Sequence, residues 1–491
     1  MEGLLINFTT YILQAKTMIF SSIIFLLLFL PIFLLSYEIA PKKLKNSILL
    51  LASILFYAWG GIKFIAILLI FSVINFYITK FMTLNNSPQR RKILLVLSII
   101  LNLSLLIIFK YSNFLVDSFN VISTAIGISS IHWKEIALPI GISFFIFQSI
   151  TYSVDIFRNE CPAAKNYFNY LIYIISFPQL IAGPIVRYKN IANEITDRNP
   201  SIDDKLNGLY RFSIGLAKKI IIADTMAIQA DLVFGTDITI EALRTMSCTN
   251  MWLGVLAYTF QIYFDFSGYS DMAIGLGRIM GFHYPENFNM PYISKNVSEF
   301  WKRWHITLGD FMLNYLYIPL GGNRVKTKYR HYFNLWIVFL LSGLWHGAAW
   351  NFIIWGAYHG IFLILDKIGL KRFLQKLGTI PSVILTFIVV AIGWSIFAVD
   401  SFDKLLVILR SLFSFKDIEY FTIIPRVIPI SILAIIFSFV RIPKLEYFFF
   451  HKDKYTNLQH VFVFTTMFIL LIISISHAVD TDLNHFIYFR F

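Results

Sequence analysis

A histidine inside an apolar stretch is the first candidate for chemistry. His346 lies in Ser342-Gly-Leu-Trp-His346-Gly-Ala-Ala-Trp350, which contains no acidic or basic residue besides it. An ionisable side chain is costly inside a membrane, so a histidine there is a functional candidate by default. A neutral imidazole can accept a proton from a hydroxyl or a thiol, as a general base does. The sequence leaves a second interpretation open, in which His346 is structural and bonds to a neighbouring helix.

A second cluster combines tryptophans, basic residues and a histidine. It is Glu299-Phe-Trp301-Lys302-Arg303-Trp304-His305. On a continuous helix Trp301, Trp304 and His305 would share one face, while Lys302 and Arg303 would point elsewhere, toward an anionic phosphate near the cytoplasmic surface. A helix lying in the membrane interface has the same pattern and is the favoured interpretation of this segment alone. His305 becomes a catalytic candidate because His346 lies in the same polar region.

A third cluster places carboxylates and hydroxyls in an otherwise apolar run, at residues 258–271. These groups would be very unfavourable against lipid, so the segment is predicted to face the protein interior. We interpret Asp271 as part of a hydrogen-bonded packing network, and we predict that Gln261 and Asp265 line a cavity.

Several common site motifs are missing from the sequence. Leu320-Gly-Gly-Asn-Arg324 lacks the lysine and the spacing of a P-loop. His359 lies near a basic loop and is interpreted as a structural residue. Cys161 and Cys248 are far apart and are interpreted as free thiols. We therefore predict no metal site and no catalytic serine of the GxSxG type.

The composition shows what kind of structure must position these groups. Of the 491 residues 57% are hydrophobic and only 14% are charged, which excludes a soluble globular enzyme and a disordered chain. Long apolar runs predict an all-α, polytopic membrane protein of about 11–13 helices, including short re-entrant ones. The net charge of +14 comes largely from short loops between these runs, as the positive-inside rule requires. Membrane lipid is therefore the expected partner, and nucleic acid is not.

The chain is predicted to form one membrane domain over residues 18–491, after an N-terminal extension at residues 1–17. Broken, polar segments place the functional core at about residues 167–366. Residues 333–365 lie between two basic loops predicted to be cytoplasmic, and they are too few for two full crossings. We expect two short helices that turn near residues 343–351, with His346 near the turn. The other predicted crossings are residues 18–37, 49–59, 64–82, 93–109, 136–157, 383–399, 423–440 and 461–475.

The motifs together resemble the membrane-bound O-acyltransferase (MBOAT) superfamily, in its bacterial alginate O-acetylation branch. The similarity runs from residue 18 to about residue 394. The motifs are Phe177-Pro-Gln-Leu-Ile-Ala-Gly-Pro-Ile-Val-Arg187, Gln261-Ile-Tyr-Phe-Asp-Phe-Ser-Gly-Tyr-Ser-Asp271, Pro285-Glu-Asn-Phe288, Trp301-Lys-Arg-Trp-His-Ile-Thr307, Tyr317-Ile-Pro-Leu-Gly-Gly-Asn-Arg324 and Leu344-Trp-His-Gly347.

The resemblance implies an acyltransferase with two histidines facing a tunnel, His346 as the catalytic one and His305. Ile396-Phe397-Ala398 replaces the family's usual Phe-Arg-Ala, a departure that we expect not to touch the histidines. The further substrate and tunnel candidates are Trp301, Trp304, Gln261, Asp265, Trp345, Asn351, Lys302, Arg303 and Arg324.

The resemblance also implies a function and its partners. We expect acetyl groups to move from a cytoplasmic donor, acetyl-CoA, across the bacterial inner membrane to an exported or cell-wall polysaccharide. A separate extracytoplasmic acetyltransferase would be the protein partner, and no other cofactor is expected. The alternative is a proton-coupled transporter or flippase of a cell-envelope precursor, which would perform no acyl chemistry. A purely structural assembly scaffold is a third, weaker interpretation.

Overall fold

The computed structural model describes residues 18–414, 421–441 and 456–480, and every regular element in these ranges is helical. The all-α prediction is therefore confirmed, whereas the predicted extension at residues 1–17 lies outside the described residues. The described residues divide into two compact units. The first contains residues 18–212, 272–285 and 475–480, and the second contains residues 213–271, 286–414, 421–441 and 456–474.

The first unit is formed by long apolar helices and several short ones. An aromatic cluster around Phe177 packs α1 against α2, with ring centroids 5.0 Å from Phe33 and 5.6 Å from Phe56. α2 is kinked at Gly61, where the sequence placed the junction between two predicted crossings. The helices are α1 (Leu30–Ile39), α2 (Lys42–Leu84), α3 (Pro88–Leu106), α4 (Ser112–Ala125), α5 (Ile142–Phe157), α6 (Tyr167–Ile175), α7 (Phe177–Leu180), α8 (Tyr188–Thr196) and most of α9 (Ile202–Ala217). Wider π-helical turns span Phe25–Phe29 and Ile107–Tyr111.

The second unit holds the candidate site residues on shorter, more often broken helices. They are α10 (Asp224–Phe234), α11 (Ile240–Thr245), most of α12 (Cys248–Met280), α13 (Val297–Arg303), α14 (Ile306–Phe311), α15 (Lys328–His346), α16 (Trp350–Ile368), α17 (Leu370–Leu377), α18 (Thr379–Ala398), α19 (Phe402–Leu412), α20 (Val427–Phe439) and most of α21 (Asn457–Asp480). π-helical turns span Lys218–Ala223 and Met312–Tyr317, and a 3₁₀ turn spans Pro291–Ile293.

Several helices are long and apolar enough to cross a membrane. Within the described residues they are Lys42–Leu84, Pro88–Ala125, Thr379–Ala398 and Asn457–Ala478, with a fifth if α16 and α17, which meet at a bend of 73°, form one span. The chain is thus a multi-pass membrane protein, while the count of about 11–13 helices stays a prediction. The helical path of the predicted crossing at residues 93–109 continues through Lys110 to Ala125.

The predicted hairpin between the two basic segments is present. α15 ends at His346 and α16 begins at Trp350, so the turn falls within the predicted range and places His346 beside it. Each helix has 19 residues, longer than expected, because both continue into the basic flanking segments. The two helices approach closely at glycines: a Cβ on Gly356 would lie 2.4 Å from the carbonyl oxygen of Phe339.

Candidate active site

A cavity of about 790 Å³ opens in the second unit beside α13 and α14. It reaches the protein surface at Asn323 and Arg324, which are exposed, and it extends to His305, which is only 1% exposed. Its remaining walls are largely apolar. The lining residues include Trp301, Lys302, Leu308, Met312, Leu335, Val338, Phe339 and Leu363.

His305 lies at a break between two helices. α13 ends at Arg303, Trp304 is extended (φ −99°, ψ 128°), and His305 has a left-handed backbone (φ 45°, ψ 55°). The prediction that Trp301, Trp304 and His305 share one helical face is therefore wrong, since a local break replaces the continuous helix. A left-handed conformation is unfavourable for a residue with a Cβ and persists only where the surroundings hold it.

The side chain of Asn287 holds His305 from the neighbouring loop. Its Oδ1 lies 3.0 Å from His305 Nδ1 and accepts hydrogen bonds from the backbone N–H (3.3 Å) and the hydroxyl (2.9 Å) of Thr307. Its Nδ2 donates to Ser270 Oγ on α12 at 3.0 Å. His305 Nε2 is buried without a hydrogen-bond partner among the described residues. The ring is thus fixed at one nitrogen, and the other is available at the buried end of the cavity.

α13 is anchored at both ends, which fixes Trp301 and Lys302 in the cavity wall. At its start, the carboxylate of Asp366 on α16 accepts hydrogen bonds from the backbone N–H and the hydroxyl of Ser298, both 2.8 Å. At its end, Arg303 pairs with Glu299 at 2.9 Å and donates to the carbonyl of Asn289. A carboxylate at a helix N-terminus also interacts favourably with the helix dipole.

His346 lies among aromatic rings at the end of α15. Its ring centroid is 4.9 Å from Trp345, 5.1 Å from Trp355 and 5.5 Å from Phe397. The expectation that the departure at residues 396–398 does not touch the histidines is wrong, because Phe397 contacts His346. Trp345 lies 6.2 Å from the His305 ring, so one indole contacts both candidate histidines. His346 is not among the residues that line the 790 Å³ cavity.

His359, interpreted from the sequence as structural, is fully buried on α16. Its ring lies 5.0 Å from Trp301 and 5.1 Å from Trp355. α18 packs so closely here that a Cβ on Gly393 would lie 2.6 Å from His359 Nε2.

Cations dominate the polar part of the cavity. Lys302, Arg324 and Lys367 line it, and no ion pair is found for them among the described residues. His331 also lines the cavity, and partial burial and the charge of Lys367 lower the pKa of His331 below its ordinary value. Asp310 is the one acidic residue of the lining. The opening therefore suits an anionic ligand.

The remaining predicted site residues do not line this cavity. Asp265 is buried in an ion pair with Lys219 (2.9 Å), and Lys219 also binds Asp224 (2.6 Å). This ion pair, rather than an open cavity, accounts for the carboxylate on α12. Gln261, Arg303, Trp304, Trp345 and Asn351 lie outside the lining, and the amide of Asn351 donates to the carbonyl of Phe397 at 3.1 Å.

Sequence reasoning missed four residues that build the site: Asn287, Asp366, His331 and Lys367. Asn287 stands in the motif Pro285-Glu-Asn-Phe288, which supported the resemblance but received no role. Lys367 was interpreted only as the start of a basic loop, and Asp366 received no role. No group of three or more potential metal ligands occurs among the described residues.

Comparison with known proteins agrees with the membrane architecture. The model of the membrane-bound O-acyltransferase family matches residues 4–399. The chain is 43% identical over 404 residues to the probable alginate O-acetylase AlgI of Pseudomonas putida, covering 82% of this chain and 81% of that protein. It is 36% identical over 443 residues to the peptidoglycan O-acetyltransferase of Helicobacter pylori, covering 83% and 82% of the two chains.

A more distant relative is the teichoic acid D-alanyltransferase of Bacillus subtilis, 28% identical over 282 residues, which cover 53% of this chain and 68% of that protein. Every one of these names describes acyl transfer, which does not favour the transporter alternative. The family match and the relatives together show that this chain belongs to the membrane-bound O-acyltransferase family.

Proposed function

We propose that this membrane O-acyltransferase moves acetyl groups from cytoplasmic acetyl-CoA across the bacterial inner membrane for O-acetylation of an exported or cell-wall polysaccharide. The relatives named for alginate and peptidoglycan acetylation support both the acetyl group and the class of acceptor. A separate extracytoplasmic acetyltransferase is the proposed partner that completes delivery to the polymer.

The observation that carries this proposal is the arrangement of one cavity. Lys302, Arg324 and Lys367 stand toward its opening, and His305 Nε2 stands at its buried end. The groups of acetyl-CoA follow the same order, since its anionic phosphates are at one end and its reactive thioester carbonyl is at the other. The basic segments at residues 324–330 and 367–376 are predicted to face the cytoplasm, the side from which acetyl-CoA would enter.

Acetyl transfer to a hydroxyl requires that one proton is transferred. A neutral His346 takes the proton of the acceptor hydroxyl while the oxygen forms a bond to the acetyl carbonyl carbon. The carbon–sulfur bond then breaks, and the thiolate of CoA takes the proton from the His346 imidazolium, so that atoms and charge balance. General base assistance of this kind contributes roughly 10²–10⁴-fold to the rate. The other microscopic route carries the acetyl group transiently on an imidazole nitrogen.

The experiment compares His346→Ala and His305→Ala with His132→Ala, which alters an exposed histidine of the first unit. Acetylation of the cell's exported polysaccharide and the amount of this protein in the membrane are measured for each variant. The expected result is lost acetylation at normal protein level for the first two variants and normal acetylation for His132→Ala. Purified wild-type protein should also release free CoA from labelled acetyl-CoA. Normal acetylation in His346→Ala, or no CoA release by the wild type, would overturn the proposal.

A further inference from the structure

We propose that Asn287 is a positioning residue that holds His305 in the tautomer protonated at Nδ1, so that Nε2 alone can accept a proton in the cavity. The inference rests on the proposed function for its catalytic meaning, but the tautomer itself can be measured without catalysis.

The orientation of the Asn287 amide follows from its neighbours. The backbone N–H of Thr307 can only donate, and it points at the side-chain atom of Asn287 that also faces His305, at 3.3 Å. That atom must therefore be the oxygen, since an amide nitrogen there would also be a donor and could not accept the hydrogen bond. The nitrogen then faces the hydroxyl of Ser270 at 3.0 Å, which can accept.

This orientation determines the proton on the imidazole. Asn287 Oδ1 has no hydrogen to give, so the 3.0 Å contact with His305 Nδ1 is a hydrogen bond only if Nδ1 carries the proton. A neutral imidazole has one N–H, which leaves a lone pair on Nε2. That nitrogen is buried without a hydrogen-bond partner among the described residues, on a side chain that lines the cavity.

The ring cannot easily turn to exchange its two nitrogens. Phe266 on α12 packs against it edge-on, with centroids 4.7 Å apart and an interplanar angle of 87°. The backbone is held as well, because the N–H of Ile306 donates to the carbonyl of Asn287 at 2.9 Å. Asn287 and His305 are each 1% exposed, so water does not compete for either group.

An amide in this position has a different effect from a carboxylate. A carboxylate beside Nδ1 would stabilise the imidazolium and raise the proton affinity of the ring. The neutral amide orients the ring without adding charge, so burial keeps the imidazole neutral and ready to accept a proton at Nε2.

The test reads the tautomer directly by ¹⁵N NMR of full-length protein labelled at histidine and reconstituted in lipid nanodiscs. The His305→Gln variant identifies the His305 signals by difference. The wild type should show a protonated Nδ1 and an unprotonated Nε2, and Thr307→Val, which keeps the Asn287–His305 bond, should show the same. Asn287→Leu should lose the preference for protonation at Nδ1. A wild-type His305 protonated at Nε2, or an unchanged tautomer in Asn287→Leu, would overturn the inference.

Acetyl transfer provides the second measurement. Asn287→Leu should lower kcat by roughly 10²-fold or more with little change in the KM for acetyl-CoA, since it misorients the proton-accepting ring of His305 and removes no contact with the donor. Asn287→Asp should move the acid limb of the pH–rate profile to higher pH, because its carboxylate favours the imidazolium. A merely structural role would lower the rate equally at every pH, and that result would contradict the inference. No transfer by the wild type would instead defeat the proposed function and leave the NMR result standing.

Discussion

The carboxylate of Asp366 accepts two hydrogen bonds from Ser298, through the backbone N–H and the hydroxyl of that residue, both at 2.8 Å. This contact joins the last turn of α16 to the first turn of α13. α13 carries Trp301 and Lys302 into the cavity wall and is followed, after Trp304, by His305. A single buried carboxylate therefore links the helix hairpin that turns beside His346 to the segment that presents His305.

We predict that Asp366→Ala destabilises the protein by about 1–3 kcal/mol, because it leaves two partly buried donors of Ser298 without their acceptor. Asp366→Asn, which retains one acceptor oxygen, should lose less. Thermal unfolding in detergent measures the effect. Asp197→Asn is the control: its side chain is 76% exposed and pairs with Lys42 on the surface, so we expect no measurable shift in unfolding temperature. Equal shifts for Asp366→Ala and Asp197→Asn would contradict this role of Asp366.

The position of His346 was predictable, for identifiable physical reasons. A histidine in an apolar run is costly, which made His346 a candidate, and the short distance along the chain between two basic loops predicted the turn beside it. The break at His305 was not predictable, because nothing in Trp301-Lys-Arg-Trp-His305 prevents a continuous helix. Contacts with Asn287, 18 residues earlier, accompany the break.

Asp265 shows the same limit of prediction from sequence. The sequence indicated that Asp265 must face the interior, but it could not distinguish a cavity from an ion pair. That distinction depends on Lys219, which is distant along the chain and lies 2.9 Å away in the fold. Periodicity and burial cost are properties of local sequence, whereas the choice of polar partner is decided by packing between distant segments.

The helix hairpin should be sensitive to any side chain at its glycines. A Cβ on Gly343 would lie 2.1 Å from the carbonyl oxygen of Phe352 and 3.1 Å from the Cα atom of Gly356. Gly343→Ala should therefore destabilise the protein by about 1–3 kcal/mol, as overpacking does, despite the better helix propensity of alanine. Gly369→Ala is the matched control, since no atom lies within 4 Å of a Cβ at that position. Unfolding temperatures that fall equally for both variants, or for neither, would contradict the close-packing argument.

The cations of the cavity should affect the binding of acetyl-CoA and not the acetyl-transfer step. Lys302→Met and Arg324→Met should each raise the KM for acetyl-CoA by about 3- to 10-fold, which corresponds to roughly 1 kcal/mol for one partly exposed charge contact. The value of kcat should change little, and the difference from wild type should shrink at high salt, which screens exposed charges. Lys371→Met removes an exposed charge of α17 outside the cavity lining and should leave KM unchanged. A KM that rises equally in Lys371→Met would mean that the cavity cations have no specific role.

The buried ion cluster of the second unit should be intolerant of losing its cation. Lys219 is 3% exposed and binds Asp224 at 2.6 Å and Asp265 at 2.9 Å, so Lys219→Met leaves two buried carboxylates without this counter-charge. Breaking a buried pair in this way costs about 3–5 kcal/mol, and we expect little folded protein in the membrane fraction.

The double variant Lys219→Met with Asp265→Asn removes one of the two uncompensated carboxylate charges and should recover part of the folded protein. Lys205→Met breaks the partly exposed pair with Glu38 and should express normally. The amount of monodisperse protein after detergent extraction measures all three variants. Normal levels of Lys219→Met, or a double variant no better than the single one, would show that charge balance does not hold this part of α12 in place.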